Sequence, residues 1–261
     1  MIDSFDFRIS THLRFGKGES NNLGQEISEQ GAHRIAAIVD CGVITHPQVQ
    51  KALSSVEKAG HRLDVYQSEA VEPEYDYLES LRTQLSGKDY DCLVGIGGGS
   101  ALDLTKGLAV LLANEGPAIA YRGFPKLTNR PLPVIALPTT AGTGSEVTYN
   151  AVFTDTQEKR KFGINSVINF PTAAIIDPLI SMSCPRLVAV SAGADAMVHT
   201  LEAFVNKGHT PISRMHCREA FKLLFSNLDE LAKGRQDADV VSGLALGAYL
   251  AGIALANSIP Y

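Results

Sequence analysis

Apolar residues in the first half of the chain fall into short, almost uninterrupted runs. Such runs occupy residues 35–39, 92–96 and 132–137, and a shorter one lies at residues 63–66. Strands that are buried on both faces of a parallel sheet carry continuous apolar runs rather than an alternation of apolar and polar residues. The pattern therefore predicts four strands inside a parallel sheet.

The stretches between the first three runs have helical periodicity. Val49 and Val56 lie on one face of a helix that Gly60 is expected to end. Pro73 is expected to open a second helix, which Gly87 ends. Strands that alternate with single helices form right-handed crossovers, so the fold class is α/β with a doubly wound parallel sheet.

The pattern changes after Asp177-Pro178. Residues 187–205, 212–231 and 240–257 carry apolar residues at helical spacing, and the last of these stretches is rich in glycine and alanine. That composition predicts a closely packed, buried helix. We therefore divide the chain into an α/β domain, residues 1–182, and an incomplete all-helical domain, residues 183–261.

Composition and charge exclude several classes of partner. The 23 Lys and Arg against 28 Asp and Glu give a net charge of −5, which offers no basic excess for nucleic acid or a membrane surface. The uninterrupted apolar runs are too short to cross a bilayer, and the first residues carry acids where a signal peptide carries bases. The 4 cysteines form no CxxC pair and suit free thiols in a reducing compartment. We expect a cytoplasmic protein without a nucleic-acid or membrane partner.

A glycine cluster, Gly97-Gly98-Gly99-Ser100, lies between the run at residues 92–96 and a helix that begins near Ala101. Glycines let the backbone approach a ligand closely, and a helix start offers free N–H groups and the positive end of the helix dipole. Both favour a pyrophosphate. A strand-to-helix turn without a ligand is the alternative; the extension to GGGSALDLTKG, which includes Asp103, favours dinucleotide binding.

A second loop, Pro138 to Thr148, follows the run at residues 132–137 and is crowded with hydroxyls and glycines (PTTAGTGSEVT). Threonine and serine hydroxyls bond phosphate or ribose oxygens. The loop could instead be an ordinary Ser/Thr turn. Two such loops at successive strand ends favour a ligand, because ligands of open α/β sheets lie across the carboxyl ends of the strands.

A third segment contains Asp195 and His199, four positions apart and hence on one face of a helix. A carboxylate and an imidazole suit Fe(II), Zn(II) or Mn(II). The alternative is a surface pair on a helix. The apolar neighbours of the pair predict a buried helix, which favours the metal, although two ligands do not hold a catalytic ion.

These three segments, GGGSALDLTKG, PTTAGTGSEVT and GADAMVHTLEAF, together resemble the iron-containing alcohol dehydrogenase family. The resemblance runs from Phe15 to the end of the chain. It implies a dehydroquinate synthase-like fold, in which a dinucleotide-binding domain and a helical domain enclose the site.

The resemblance also implies roles for individual residues. Asp40 matches an acid near the adenosine ribose that favours NAD, with NADP possible. Asp195 and His199 match two of four metal ligands, for Fe(II) or for Zn(II) in its place. The other positions that match dinucleotide-binding residues are Gly97, Gly98, Gly99, Ser100, Asp103, Thr139, Thr140, Thr143, Ser145 and Lys161.

The family's two remaining metal ligands are histidines on later helices. Only His209 and His216 follow His199, and neither lies in the matching context, so we interpret both as solvated or helix-surface histidines. The chain is therefore expected to be either a fragment, truncated at its C-terminus, or a shortened relative.

The implied function is hydride transfer between NAD(P) and a small alcohol or aldehyde, with the divalent metal polarising the substrate oxygen. Three alternatives remain: a maleylacetate reductase-like enzyme, a lyase of the dehydroquinate synthase type, and a form that binds dinucleotide without catalysis. The resemblance further implies a homo-oligomer, with a dimer as the expected state.

Overall fold

The computed structural model describes residues 4–69 and 72–258, so the acidic N-terminal stretch considered above lies partly outside it. The strands are β1 (His12–Phe15), β2 (Arg34–Asp40), β3 (Arg62–Ser68), β4 (Cys92–Gly97), β5 (Val134–Pro138), β6 (Asn150–Asp155), β7 (Arg160–Asn165) and β8 (Ala173–Ile176). The α-helices are α1 (Leu23–Glu29), α2 (Pro47–Lys58), α3 (Tyr75–Leu85), α4 (Gly99–Ala113), α5 (Pro178–Ser181), α6 (Arg186–Val205), α7 (Pro211–Ala232) and α8 (Ala238–Ala256).

Six strands form a parallel sheet in the order β1-β8-β5-β4-β2-β3. The four strands predicted from apolar runs are confirmed as β2, β3, β4 and β5. From β2 the chain moves to β3 on one side and then returns to β4 on the other, so the direction of winding reverses between β2 and β4. Ligands of doubly wound sheets bind at this kind of switch point, beyond the carboxyl ends of the strands.

Helices cover both faces of the sheet, which confirms the doubly wound class. Leu23 of α1 and Val49 of α2 pack on one face, against side chains that include Ile35 of β2. Leu78 of α3 and Leu104 of α4 pack on the opposite face. The two faces explain why β2 and β4 are apolar at nearly every position: both strands are buried on both sides.

Helix α3 begins at Tyr75 rather than at Pro73, where the sequence predicted its start. Glu74 is extended and forms a bridge with Thr154, and the backbone N–H of Thr154 donates to the carbonyl of Pro73 at 2.9 Å. This pairing keeps Pro73 and Glu74 in an extended conformation, so the helix begins only after them.

Four strands were not predicted. The short strands β1 and β8 pair with each other at one edge of the sheet, with His12 opposite Ala173. Strands β6 and β7 form an antiparallel hairpin outside the main sheet. Phe153 of β6 packs against Tyr75 with ring centroids 5.3 Å apart, which holds the hairpin against α3.

All strands of the described residues precede residue 177, and the three long helices follow residue 185. Helix α8 is the predicted buried helix: it packs against α6 and α7 in one apolar cluster. Its small residues permit close approach, because a β-carbon on Gly247 would lie 2.8 Å from Leu224 of α7. The division of the chain into domains near residue 182 stays a prediction.

Two of the described helices, α6 and α8, are long and apolar enough to span a bilayer, judged by length and composition alone. The sequence argument counted only uninterrupted apolar runs and therefore missed them. Helix α8 is a core helix of the fold, with 61% of its apolar stretch buried, whereas α6 has 22% buried. The exposed side chains of α6 include Leu187, Val198, Leu201 and Val205.

Candidate functional site

The glycine cluster lies at the passage from β4 to α4, as predicted, but the helix begins at Gly99, two residues before the predicted start near Ala101. A β-carbon on Gly97 would lie 2.6 Å from Cβ of Ala101 and 2.8 Å from Cβ of Asp40, so the turn admits no side chain at this position. No side chain caps the start of α4. Its first N–H groups therefore remain available to an anion, at the positive end of the helix dipole.

Asp40 ends β2, the neighbour of β4 at the switch point of the sheet. Its Oδ1 accepts a hydrogen bond from the backbone N–H of Gly42 at 2.7 Å. This bond orients the carboxylate and leaves it partly exposed next to the glycine turn. The position is the one expected for an acid that binds a ribose beside the pyrophosphate.

The hydroxyl-rich loop lies directly on the glycine turn. The backbone N–H of Thr139 donates to the carbonyl of Gly97 at 2.9 Å. A β-carbon on Gly98 would lie 3.5 Å from Thr140, and one on Gly99 would lie 2.6 Å from Thr143. The structure therefore brings the two predicted dinucleotide-binding loops together at the carboxyl ends of β4 and β5.

Ser145 and Asp103 are joined by a hydrogen bond. Ser145 Oγ donates to Asp103 Oδ1 at 2.5 Å, and the backbone N–H of Val152 donates to Asp103 Oδ2 at 2.9 Å. Both oxygens of Asp103 thus already have donors within the chain. Direct contacts of Ser145 and Asp103 with a dinucleotide stay a prediction.

A cavity of about 500 Å³ opens between the α/β part and α6. It contains predicted residues from all three sequence motifs. Asp40, Gly97, Gly98, Thr139 and Thr140 are not among its lining residues. The residues that line it are Glu72, Pro73, Gly99, Ser100, Asp103, Thr143, Ser145, Thr148, Asn150, Val152, Phe153, Thr154, Lys161, Asp195, His199 and Leu255.

Lys161 lies on β7 at the edge of this cavity, where its ammonium pairs with the carboxylate of Glu72. Both side chains are more than half exposed. Exposed pairs of this kind contribute little to stability. Breaking the pair with Glu72 would therefore cost little free energy, so an anionic group bound in the cavity could replace Glu72 as the partner of Lys161.

Asp195 and His199 face the same cavity from α6, with His199 Nε2 3.7 Å from Asp195 Oδ1. Nδ1 of His199 is buried and has no hydrogen-bond partner among the described residues. The helix that carries the pair is largely exposed, so the prediction of a buried helix is wrong: Val198 and Leu201 are each about half exposed. The apolar composition of a helix does not by itself show whether other segments of the protein cover it.

The donor set of this pair is incomplete within the described chain. No group of three or more His, Cys, Asp or Glu side chains suited to a metal occurs in residues 4–69 and 72–258. His209 and His216 do not join the pair: Nδ1 of His209 lies 2.6 Å from the carbonyl of Asn206, and His216 stacks on Phe7. A catalytic metal usually has three protein ligands, so these two residues alone would not hold one, and their role as metal ligands stays a prediction.

Two ionisable side chains are buried behind the cavity. Lys106 of α4 is 1% exposed and Glu146 of the hydroxyl-rich loop is 4% exposed. Burial raises the pKa of Glu146 to about 7, although the positive charge of Lys106 opposes the change. Burial also lowers the pKa of Lys106, against the attraction of Asp103 and Glu146.

Sequence reasoning missed part of this site. It assigned no role to Glu72, to Glu146 or to the hairpin residues Asn150 and Thr154. The β-branched and aromatic residues Val152, Phe153 and Thr154 of β6 were the one local sequence signal for the hairpin. Glu72 has no local signal, because only the folding of the hairpin brings Lys161 beside it.

Comparison with known proteins agrees with this geometry. The sequence model of the iron-containing alcohol dehydrogenase family matches residues 10–178, and that of the C-terminal region of the same family matches residues 189–259. A 1,3-propanediol dehydrogenase from Citrobacter freundii is 32% identical over 97% of this chain and 66% of its own length. The chain thus spans about two thirds of the length of that relative.

Two solved structures share the fold closely. An alcohol dehydrogenase from Oenococcus oeni matches with a TM-score of 0.92 at 29% identity, over 98% of this chain and 67% of its own. A sulfoacetaldehyde reductase from Bifidobacterium kashiwanohense, solved in complex with NAD+, matches with a TM-score of 0.90 at 28% identity, over 98% and 68%. With its glycine turn, hydroxyl-rich loop and Asp195–His199 pair, the chain belongs to the iron-containing alcohol dehydrogenase family.

Proposed function

We propose that this chain binds NAD(H) and belongs to an oxidoreductase that transfers hydride between NAD(H) and a small alcohol or aldehyde. One observation carries the proposal. The two loops at the carboxyl ends of β4 and β5 lie together, next to the switch point between β2 and β4 and beside a cavity that Asp195 and His199 also line. A dinucleotide placed on the loops extends into this cavity.

Each part of the site has a role in binding. The free N–H groups at the start of α4 hold the pyrophosphate, and the hydroxyls of Thr140 and Thr143 bond its oxygens from the opposite side. The carboxylate of Asp40 accepts hydrogen bonds from the adenosine ribose and repels the 2′-phosphate of NADP. These anchors fix the position of the nicotinamide ring, which is what hydride transfer requires of the protein.

The family is named for iron, and Asp195 and His199 are the residues that would hold it here. A divalent ion bound there would supply Lewis-acid polarisation of the substrate oxygen. Since the described residues offer no third ligand beside this pair, we propose that the remaining ligands lie on further chain, as the relatives are longer. The exposed apolar side chains of α6 support the proposal, because they are suited to packing against additional helices.

We further propose a homo-oligomeric protein of the cytoplasm. Four free cysteines without a disulfide suit a reducing compartment. The family resemblance supports the oligomer, and light scattering coupled to size-exclusion chromatography measures it.

Titration of the protein with NADH, followed by nicotinamide fluorescence, tests the proposed function. We expect saturable binding at one site per chain, and reduction of a small aldehyde once the ligand set is complete and loaded with Fe(II) or Zn(II). Failure to bind NADH would refute the proposal. The incomplete donor set favours a second function for the 261-residue chain alone, dinucleotide binding without turnover, and NADH binding without metal retention or activity would support it.

A further inference from the structure

A network of buried charges lies behind the dinucleotide site. Its members are Asp103 and Lys106 of α4 and Glu146 of the hydroxyl-rich loop; the first lines the cavity and the other two are almost completely buried. Charged side chains are rarely buried to this extent unless they are paired. Lys106 is too deeply buried to touch a ligand in the cavity, so its place in the fold needs another explanation.

Asp103 connects helix α4 to the hydroxyl-rich loop and to the hairpin. Its Oδ1 accepts from Ser145 Oγ at 2.5 Å and lies 3.2 Å from Nζ of Lys106. Its Oδ2 accepts from the backbone N–H of Val152 at 2.9 Å. One carboxylate therefore joins α4 to the loop and to the hairpin, whose bonded residues lie 42 and 49 positions later in the chain.

Lys106 completes this connection. Its ammonium donates to the backbone carbonyls of Thr148 and Asn150, the residues that link the hydroxyl-rich loop to β6. With the contact to Asp103, all three of its donors have acceptors inside the protein. The lysine thus holds the C-terminal end of the loop against the middle of α4.

The loop has little freedom to move while the network is intact. On one side Thr143 lies against Gly99 of the pyrophosphate turn. On the other side Gly144 lies against Gly252 of α8: a β-carbon on Gly144 would lie 2.7 Å from Cα of Gly252, and one on Gly252 would lie 3.0 Å from Cα of Gly144. A shift of the loop towards or away from α4 would therefore displace Thr140 and Thr143 from the start of the helix.

We propose that Lys106, held by Asp103, is a positioning residue for the dinucleotide. It acts through the hydroxyl-rich loop and keeps the threonine hydroxyls at the distance from α4 that a pyrophosphate requires. The inference rests on the proposed function, since it concerns the affinity of the same site for NADH.

The test measures the dissociation constants of two ligands for variants of the network. Lys106→Met keeps the length of the side chain and removes its charge, and we expect the Kd for NADH to rise at least tenfold. The Kd for adenosine, measured by ligand-observed NMR, should stay within twofold, because adenosine contacts the Asp40 side of the turn and needs no pyrophosphate seat. A general loss of folded structure would weaken both ligands equally.

Two further variants complete the design. Asp103→Asn serves as the second variant if Lys106→Met does not fold, because it removes one charge and keeps an oxygen that accepts from the N–H of Val152. We expect it to raise the Kd for NADH at least threefold. Arg14→Met is the matched control, because it breaks the pair with the buried Glu26, 2.6 Å away, and Arg14 has no contact with Asp103 or Lys106 among its ion pairs and hydrogen bonds. It should leave the Kd for NADH within twofold of the parent.

The inference is overturned if folded Lys106→Met or Asp103→Asn binds NADH as the parent does. It is also overturned if NADH and adenosine weaken together, or if Arg14→Met weakens NADH as much as Lys106→Met does. A parent chain that binds no NADH would refute the proposed function first, and the inference with it.

Discussion

Replacing Glu146 by glutamine removes one ionisable group and keeps its shape. Burial raises the pKa of this carboxyl from 4.5 to about 7 in the folded chain, where it faces Lys106 and lies near Tyr249 of α8. The folded state therefore keeps a proton that the unfolded state releases. As a result, the free energy of unfolding of the parent falls as the pH rises from about 4.5 to about 7 and then levels off.

The size of the effect follows from the shift of the pKa. At about 1.4 kcal/mol per pKa unit, Glu146 lowers the free energy of unfolding by about 2.5 kcal/mol between pH 5 and pH 8. Glutamine does not titrate in this range. The free energy of unfolding of Glu146→Gln minus that of the parent should therefore be about 2.5 kcal/mol larger at pH 8 than at pH 5.

Urea unfolding of both proteins at pH 5, 6, 7 and 8 measures this difference. Glu57→Gln is the control for the loss of one carboxylate as such, because Glu57 is an exposed residue of α2. A difference between Glu146→Gln and the parent that stays constant within about 0.5 kcal/mol over this range would show that Glu146 does not keep its proton.

Three further predictions concern single side chains of the site. Asp40→Asn keeps an acceptor for the N–H of Gly42 but loses the charge, so the ratio of the Kd for NADPH to the Kd for NADH should fall at least tenfold in fluorescence titrations. An unchanged ratio would show that Asp40 does not bind the ribose. Gly144→Ala adds a methyl group 2.7 Å from Cα of Gly252 at a φ of +65°, and it should lower the free energy of urea unfolding by about 3 kcal/mol. Gly123→Ala is the control, because Gly123 has a similar φ but open space around it, and it should lower that free energy by about 1 kcal/mol. Equal losses would contradict the close packing of the loop on α8. In the protein with its complete ligand set, Asp195→Ala should lower the retained iron at least tenfold, as measured by mass spectrometry. Unchanged iron would show that Asp195 is no ligand.

The central part of the fold follows from local sequence. Strands β2 and β4 are apolar at nearly every position because both of their faces are covered, and the glycines at the end of β4 mark the turn that follows. The strands at the edge of the sheet could not be predicted in this way. Strand β1 is four residues long, and its partner β8 lies about 160 residues later in the chain. A pairing of this kind depends on the completed fold and leaves no periodicity in the sequence.

The site divides along the same line. The glycine turn and the hydroxyl-rich loop were predictable because each follows one strand and contains its own chemistry. The role of Glu146 was not, since a glutamate in a polar loop suggests exposure, and only the packing of α4 and α8 around the loop buries it. The exposure of α6 was also unpredictable, because it depends on which other chain covers the helix.

A crystal structure of the protein grown with NAD+ tests the central claim most directly. The account predicts density for the pyrophosphate between the start of α4 and the hydroxyls of Thr140 and Thr143, with the adenosine ribose in hydrogen-bond distance of Asp40. The nicotinamide ring should enter the cavity that contains His199. A dinucleotide bound elsewhere on the chain, with the glycine turn free of phosphate, would contradict the account.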